Sequence, residues 1–484
     1  MTFLPAQNSG GPCGCRENWK TIVTHDQHSP LDARSRCGSN LINMNIPSAR
    51  RRRPVFIFTV LALLNAVSLL AAEFAPKPND AYFARFEPVK APTTDGLYLH
   101  EGDRLAIIGD SITEQKMYSR IIETYLTVCV PELKITARQF GWSGETAEGF
   151  LHRMTNDCLR FQPTVATLCY GMNDFRYRAY TDEIGNWYSN NYSSVVLSLK
   201  NAGARVVLGC AGAVGKVPPW AANNNATMDE MNLSLCHLRN IDVGMAKEYD
   251  VRFADVFWPL LTEGFAAKKE YGADYMLSGP DGVHPHWAGH LVMAYAYLKA
   301  LGLDGDIGTF TVDLGAKQAS VSAGHTLNSF ENNTLNITSR RYPFCATGAT
   351  NSDDSIRSGM TLVPFNADLN RLTLVVKGGT AENYAVTWGD ETHDYSAAQL
   401  AAGVNLADDF AVNPFSAAFA KVDAAVAAKQ NYETRQIKDL FHGPEGQADA
   451  DATAALTEEA RRPLAEAIVA AFVPVTHTIR IQPK

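Results

Sequence analysis

The stretch Leu105-Ala106-Ile107-Ile108-Gly109-Asp110-Ser111-Ile112-Thr113 decides the fold. Its apolar, Ile-rich first half is typical of a β-strand that is buried on both faces. At Gly109 the backbone can turn sharply, and a helical pattern of apolar residues then runs from Glu114 to about Val128. This turn predicts that Ser111 lies at the carboxyl edge of a sheet, where open α/β sheets bind ligands and helix N-termini hold anions. Taken alone, Ser111 is equally consistent with a helix N-cap.

The same alternation of strand and helix continues from about Phe83 to Leu303. Strands are predicted at 104–109, 133–139, 164–170, 205–210 and 251–256, and helices near 114–128, 146–160, 183–202, 228–249 and 287–301. Five such units predict a five-stranded parallel sheet with helices on both faces, which is a three-layer α/β/α sandwich of the α/β class. The loops that follow the strands are then expected to carry the chemistry.

Composition limits the classes of protein to which the chain can belong. The 484 residues are enough for two or three domains, and 46% hydrophobic with 19% charged residues is typical of a globular protein. A net charge of −8, without a basic stripe beyond the N-terminal region, argues against a nucleic-acid partner. Nine cysteines are too few for a disulfide scaffold. Cys169 and Cys210 fall in predicted strands and are expected to be buried thiols, whereas a Cys129–Cys158 disulfide stays open.

The N-terminal region has the pattern of an export signal. Four arginines, Arg50 to Arg53, precede an uncharged run from Pro54 to Ala72, which predicts a secretory signal peptide over 44–72. Residues 1–43 are then an over-called translation start or a disordered leader, with Met44 as the true start. The alternative is an uncleaved signal-anchor helix, although 19 residues barely span a bilayer. We therefore expect a secreted or periplasmic protein that meets the membrane only through this segment, with few contacts between residues 1–80 and the rest.

The pattern changes after Leu303. The alternation of strands and helices occupies 73–303, residues 306–394 carry short β-type runs, and residues 395–484 are Ala-rich and helical with a possible closing strand at 475–482. The apolar residues of 396–440 need a partner surface. We expect the helical part to pack beside the strand-end loops and to form one wall of the substrate pocket.

Four predicted strand-end loops carry polar residues. They are Gly109-Asp110-Ser111, Gly141-Trp142-Ser143-Gly144-Glu145-Thr146, Gly171-Met172-Asn173-Asp174 and Asp281-Gly282-Val283-His284-Pro285. Each is a weak signal alone. Together and in this order they resemble the four blocks of the SGNH hydrolases, the GDSL esterase/lipase family, over residues 100–302. The G-x-S-x-G elbow of the α/β-hydrolases is absent, which argues against that other serine-esterase fold.

The residue types explain the chemistry. A serine hydroxyl is a poor nucleophile until a base takes its proton, and His284 is the well-placed base among these loops. Asp281, three residues earlier, can fix the tautomer and orientation of the imidazole. The resemblance implies a flavodoxin-like fold, the catalytic triad Ser111, His284 and Asp281, and an oxyanion hole made by the backbone N–H groups of Ser111 and Gly144 and the side-chain amide of Asn173.

Other polar residues near these loops have simpler interpretations. Asp110 and Asp174 are expected to be turn and hydrogen-bonding residues, and His286 and His290 to lie behind the site or on the surface. No metal site is expected, because no further Cys or carboxylate cluster accompanies these histidines, and no other cofactor is expected. Aromatic residues and one cation near the loops could pack or could contact a sugar: Trp142, Tyr170, Phe175, Arg176, Tyr177 and Trp287.

We therefore expect a secreted or periplasmic serine esterase that hydrolyses carboxylic esters, with acetyl esters on carbohydrates as the first choice. The export signal, the aromatic loops and the absence of a long apolar stretch for a fatty chain favour this substrate class. One alternative is a lysophospholipase or short-chain lipid esterase. Another, from a different class, is a carbohydrate-binding or surface-interaction protein with incidental catalysis. The expected partner is a small-molecule or polysaccharide ester.

The signal-peptide interpretation gives a direct prediction. The mature N-terminus should fall near Glu73, because small residues precede that charge at the end of the apolar run. N-terminal sequencing of protein isolated from its native host checks this. Recovery of intact residues 1–43 would show that the interpretation is wrong.

Overall fold

In the computed structural model, which describes residues 73–484, a five-stranded parallel sheet organises the first half of the chain. Its strands are β1 (Arg104–Gly109), β2 (Thr136–Gln139), β3 (Val165–Cys169), β4 (Arg205–Gly209) and β5 (Arg252–Ala254), in the order β2-β1-β3-β4-β5. All four strand pairs are parallel. The predicted α/β sheet is confirmed. The predicted leader and signal peptide, 1–72, lie outside the described residues.

Helices flank this sheet as predicted. They are Ser111–Glu114, Tyr118–Val128, Ala147–Asp157, Asp182–Asn201, Met228–Glu248, Phe257–Tyr271 and Trp287–Ala300, with short 3-10 turns at Ala81–Arg85, Pro131–Leu133, Leu159–Phe161 and Pro219–Asn224. The helix predicted from residue 114 is in two pieces, because Lys116 has a left-handed backbone (φ 58°). Phe257–Tyr271 was missed, since Pro259 and Gly264 interrupt its apolar pattern. Proline is tolerated there because it lies in the first turn.

The β-rich region forms two further sheets. One contains β6 (Asp306–Asp313), β7 (Gln318–Val321), β10 (Arg371–Lys377) and β13 (Val404–Asn405), in the order β13-β10-β6-β7. The other contains β8 (His325–Glu331), β9 (Thr334–Ser339), β11 (Asn383–Trp388), β12 (Glu391–Ser396) and β14 (Val475–Pro483), in the order β12-β11-β14-β9-β8. The last strand of the chain therefore pairs between β11 and β9, where we expected a closing strand.

The remaining helices lie between these strands in sequence. They are Ile356–Leu362, Phe365–Leu369, Ala397–Ala402, Leu406–Asp409, Ser416–Arg435, the π-helix Gln436–Phe441, Pro444–Ala448 and Ala450–Ala471. No helix among residues 73–484 is both long enough and apolar enough to cross a membrane.

The helix Ser416–Arg435 packs against Tyr118–Val128 and the edge strand β2. Charges are buried in this contact: Lys429 is 1% exposed, and its Nζ lies 2.9 Å from Glu123 Oε1 and 2.8 Å from Glu433 Oε1. Burial raises the pKa of Glu123. Burial acts in the same direction on Glu433, but Lys429 and Arg461 together hold the pKa of its carboxyl below the usual value. The helical region is thus joined to the α/β sheet by ion pairs as well as by apolar side chains.

The segment after residue 72 is bound to the α/β part, so the expectation of few contacts is wrong for residues 73–80. Phe74 forms a β-bridge with Val89, and the indole N–H of Trp258 donates to the carbonyl of Pro76 (3.1 Å). Just beyond, Phe83 is 1% exposed and packs its ring against those of Trp258 and Phe265. Apolar burial, which composition alone did not reveal, holds this segment in place.

The cysteines beyond the signal segment are buried thiols. Cys129 and Cys158 are both free, so the disulfide that the sequence left open does not form in this structure. Cys169 and Cys210 are also free and buried, as predicted from their strands. Burial raises the pKa of the Cys158 thiol to about 12, which keeps it protonated and unreactive.

The buried charges give a prediction about stability. Lys429→Met should lower the free energy of unfolding by roughly 3–5 kcal/mol, because Glu123 and Glu433 lose a shared buried cation. Urea unfolding measures the difference. Lys421→Met, at an exposed position of the same helix, is the matched control and should change stability by less than about 0.5 kcal/mol. A loss under about 1 kcal/mol for Lys429→Met would contradict the role assigned to the ion pairs.

Candidate active site

The carboxyl ends of β1, β2 and β3 bring three of the four predicted loops together. Ser111 follows β1 and opens the short helix Ser111–Glu114, whose N-cap is Asp110. The Asp110 side chain accepts the Ile112 N–H (2.9 Å), which fixes the turn. The first N–H groups of a helix have no partner inside it, so the Ser111 N–H is available to a ligand. The N-cap is therefore Asp110, and Ser111 is left free for another role.

Ser111, His284 and Asp281 form one hydrogen-bonded chain. His284 Nε2 lies 2.8 Å from Ser111 Oγ, and His284 Nδ1 lies 2.7 Å from Asp281 Oδ2. The His284 and Asp281 side chains are 28% and 29% exposed, so the chain is open to solvent on one side. The two ring nitrogens therefore face a hydroxyl and a carboxylate, as an imidazole needs in order to act as a general base.

The Asp281 carboxylate is held by its own loop. Its Oδ1 accepts the backbone N–H groups of Val283 (2.8 Å) and His284 (2.9 Å). Burial opposes ionisation, but these two hydrogen bonds and the contact with the His284 ring hold the pKa of Asp281 below its usual value. Asp281 therefore stays ionised at neutral pH and keeps the proton of His284 on Nδ1.

Gly144 lies in the loop that follows β2 and comes to the side of Ser111. Its φ of 76° is in the left-handed region, and no atom lies within 4 Å of the position that a Cβ would occupy. Gly141, in the same loop, is needed because there is no space for a side chain. A Cβ there would lie 2.2 Å from the backbone nitrogen of Glu114, so only glycine lets this loop rest on the turn that carries Ser111.

Asn173, in the loop after β3, connects the other two loops. Its side-chain amide donates to the Glu145 carbonyl (2.9 Å) and points more weakly at Asp110 Oδ2 (3.4 Å). The Tyr177 hydroxyl donates to its carbonyl oxygen at 3.4 Å. One amide N–H is thus engaged in a normal hydrogen bond, and the other has only a long contact that a developing oxyanion could replace.

Asp110 and Asp174 serve the backbone, as predicted. Asp174 accepts the N–H groups of Ala147 and Gly171, each at 2.9 Å, and so ties the second loop to the third. Burial raises the pKa of Asp110 to about 7 and that of Asp174 to about 7. Neither carboxyl contacts Ser111 Oγ or the His284 ring through a hydrogen bond.

Sequence analysis missed a buried network behind Gly144. Glu145 binds Arg153 through two short contacts (2.6 and 2.7 Å) and accepts the Tyr170 hydroxyl (2.6 Å). Arg153 also donates to the carbonyl of Phe140 (2.7 Å). The spacing of eight residues between Glu145 and Arg153 was the available signal, but it identifies an ion pair only when the loop folds back on the helix Ala147–Asp157.

Trp220 is the second residue that sequence analysis missed. It lies in the turn Pro219–Asn224, is 51% exposed, and has its ring centroid 5.7 Å from that of His284 and 5.9 Å from that of Tyr177. Of the aromatic residues noted from the sequence, Tyr170 and Phe175 are fully buried and so serve packing. The Trp220 indole thus contacts Tyr177 and His284, and about half of its surface remains open to a ligand beside the site.

His290 lies behind the site and is buried. The Tyr118 N–H donates to its Nδ1 (3.3 Å), so Nε2 carries the proton and donates to Gln115 (3.2 Å). Burial lowers the pKa of His290 to about 3, so it remains neutral. Within residues 73–484 no group of three or more His, Cys, Asp or Glu side chains is arranged to hold a metal ion.

The helical C-terminal region packs beside the second loop, as we expected. The His442 ring lies 4.8 Å from that of Trp142, and Lys438 Nζ lies 5.2 Å from the centroid of the same indole. On the opposite side, the carbonyl of Asp353 accepts the N–H of Ala288 (2.9 Å) at the start of the helix that follows His284. Nothing in the sequence linked these residues to the site, because they are far from it along the chain.

Several solved structures match the chain, one of them with a clearly similar fold. A gut microbial diltiazem-metabolizing enzyme is 21% identical with a TM-score of 0.65, and the match covers 81% of this chain and all of that one (100%). An acetylxylan esterase from Geobacillus stearothermophilus is 21% identical with a TM-score of 0.36, covering 43% of this chain and 97% of its own. An alpha/beta hydrolase enzyme from the metagenome of Lake Arreo, Spain, is 21% identical with a TM-score of 0.34, covering 43% and 98%. Comparison with curated proteins gave no match.

Residues 107–292 match the model of the GDSL-like Lipase/Acylhydrolase family. This range begins in β1, ends in the helix that follows His284, and contains all four of the loops described above. The α/β part of the chain is therefore similar to the GDSL-like lipases and acylhydrolases, and the protein is a serine ester hydrolase.

Proposed function

We propose that Ser111, His284 and Asp281 act as a catalytic triad and that the substrates are acetyl esters of carbohydrates. The observation that carries the triad is the continuous hydrogen-bonded chain from Ser111 Oγ through both ring nitrogens of His284 to Asp281. A neutral imidazole with its proton held on Nδ1 has a lone pair on Nε2 directed at the serine hydroxyl. This arrangement supports nucleophilic catalysis by Ser111.

The reaction follows from these positions. His284 Nε2 takes the Ser111 proton while Oγ attacks the ester carbonyl, and the resulting oxyanion receives hydrogen bonds from the N–H groups of Ser111 and Gly144 and from the Asn173 amide. The imidazolium then protonates the leaving alcohol, and the C–O bond of the ester breaks. Water, deprotonated by His284 Nε2, then attacks the acyl-enzyme; the acyl C–Oγ bond breaks, the imidazolium returns its proton to Ser111 Oγ, and the acid is released. Asp281 remains ionised throughout and stabilises the imidazolium.

Trp220 is the observation that favours a ring-bearing alcohol. An indole that is half exposed beside His284 offers a flat apolar face where the alcohol part of an ester would leave. Aromatic faces pack well against the apolar faces of sugar rings. The predicted signal segment adds support, because an exported esterase meets polysaccharides outside the cytoplasm, and we propose a secreted or periplasmic location on that ground.

Replacing the nucleophile tests the mechanism. Ser111→Ala should lower ester hydrolysis by roughly 10⁴-fold or more, since a triad acts as a unit, while thermal unfolding stays unchanged. Initial rates with p-nitrophenyl acetate measure the effect. Ser193→Ala, on the helix Asp182–Asn201 away from the site, is the matched control and should keep full activity. Near-normal turnover by Ser111→Ala, after removal of contaminating esterases, would rule out the serine mechanism.

Trp220 gives a test of the substrate class. Trp220→Ala should lower kcat/KM for acetylated xylo-oligosaccharides by roughly 3- to 10-fold, which corresponds to the loss of one aromatic contact. Trp220→Phe should retain most of the activity, because a flat ring remains. Ethyl acetate, which has no ring, is the control substrate and should be hydrolysed equally by all three proteins. Equal losses on both substrates would contradict the sugar contact, and an enzyme that prefers long-chain p-nitrophenyl or lysophospholipid esters would contradict the substrate class.

A further inference from the structure

The π-helix Gln436–Phe441 carries two residues of the C-terminal region to the loop that contains Gly144. It follows directly on the helix Ser416–Arg435 and delivers Lys438 and then His442. A π-helical turn is rare and frequently lies at a functional site. What these two side chains touch therefore needs an explanation.

Lys438 restrains the residue before Gly144 through the carboxylate of Glu114. Its Nζ lies 2.8 and 3.0 Å from the two carboxylate oxygens of Glu114. Oε2 of Glu114 also accepts the backbone N–H (2.5 Å) and the hydroxyl (2.6 Å) of Ser143, the residue before Gly144. Burial opposes ionisation of Glu114, but Lys438 and Ser143 together hold its pKa below the usual value. A partly buried, ionised carboxylate thus joins the C-terminal region to the loop.

His442 restrains the residue after Gly144 through a series of side chains that begins at Asp157. Its Nε2 lies 2.8 Å from Asp157 Oδ2, and the same oxygen accepts from Arg153 at 3.3 Å. Arg153 is paired with Glu145, the residue that follows Gly144. Asp157, Arg153 and Glu145 are all buried, so the inner contacts of this series are shielded from water, whereas the His442 side chain is 40% exposed.

Trp142 lies between the two contacts. The ammonium of Lys438 is 5.2 Å from the centroid of its ring, and the His442 ring meets it edge-on at 4.8 Å. Apart from its chain neighbours, no residue comes within 4 Å of the position that a Cβ of Gly144 would occupy, so no side chain packs on that face of the residue. The direction of its N–H is therefore set by the neighbours that Lys438 and His442 restrain.

We propose that Lys438 and His442 are positioning residues that direct the Gly144 N–H at the oxyanion. This inference rests on the proposed function, because it takes Gly144 as an oxyanion donor. It makes the helical C-terminal region a part of the catalytic apparatus, although no residue of that region touches the reacting atoms. Donors of this kind act mainly in the transition state, so their misplacement lowers kcat more than it raises KM.

Lys438→Met tests the proposal in the full-length protein. With p-nitrophenyl acetate, kcat should fall by about 10- to 100-fold, less than the roughly 10²–10³-fold loss expected when a donor is removed altogether. KM should stay within about threefold, as for an interaction made only in the transition state. Affinity for a boronic acid, which forms a tetrahedral adduct on Ser111, should fall in parallel with kcat. Lys438→Arg, which keeps the cation, should restore most of kcat.

The controls separate positioning from simple stabilisation. Lys421→Met, exposed on the preceding helix, should change neither kcat nor the melting temperature. His442→Leu removes the second contact independently and should show the same loss of kcat and of boronate affinity. Gly144→Ala should show it as well, since alanine is strained at φ 76°.

Three results would overturn the proposal. If Lys438→Met and His442→Leu keep kcat within about twofold while Ser111→Ala is inactive, only the positioning role is wrong. If kcat falls only as much as the folded fraction falls, with boronate affinity of the folded protein unchanged, the contacts are merely structural. If Ser111→Ala remains active, the proposed function fails and the positioning role fails with it.

Discussion

Parallel pairing of β1 with a neighbour on each side is the constraint on which the site depends. Ile107 of β1 is in register with Gln139 of β2, and Gly109 is in register with Cys169 of β3. Because parallel strands all end at the same edge, the loops after β2 and β3 must rise on either side of the turn after β1. Ser111 therefore lies between the loop that carries Gly144 and the loop that carries Asn173. The chain reverses direction across the sheet at this point, which is where open α/β folds bind ligands.

His284 reaches this point by a longer route. Its loop follows β5 and the helix Phe257–Tyr271, and β5 is separated from β1 by two strands. The loop after β4 supports it on the way: the Ser278 hydroxyl donates to the Ala213 carbonyl (2.6 Å), and the Gly215 N–H donates to the Gly282 carbonyl (2.8 Å). The same loop after β4 continues into the turn of Trp220. The same pair of interacting loops therefore places both the base, His284, and the exposed ring of Trp220.

The neighbouring backbone is held in a conformation that ordinary residues avoid. Arg176 and Tyr177 both have φ in the left-handed region, 56° and 53°. Asn224 donates to the carbonyls of both, at 3.2 and 3.3 Å, and so joins this turn to the one that carries Trp220. Such strain persists only where surrounding contacts enforce it, and it is concentrated at ligand sites. It orients the Tyr177 ring against Trp220 and its hydroxyl toward Asn173.

The sequence by itself determined the α/β sheet and the four loops of the site. The spacing and the type of the apolar residues identify buried strands such as 104–109. A glycine or an aspartate at the end of a strand indicates a loop, whatever packs against that loop in the folded protein. Ser111, Gly144, Asn173, Asp281 and His284 could be named because the four loop patterns, taken together and in order, resemble the blocks of the SGNH hydrolases. Local patterns also indicated the change to a β-rich and then helical chain after Leu303.

Only the tertiary structure decided what surrounds these loops. Lys438 lies more than three hundred residues after Glu114 and His442 almost as far after Asp157, so no periodicity connects them. Trp220 had no signal either, because an aromatic residue in a loop is equally compatible with burial and exposure. The insertion of β14 between β11 and β9 and the buried position of Lys429 likewise depend on which surfaces meet. Local sequence specifies backbone periodicity and turns, whereas long-range pairing and burial follow from the packing of the whole chain.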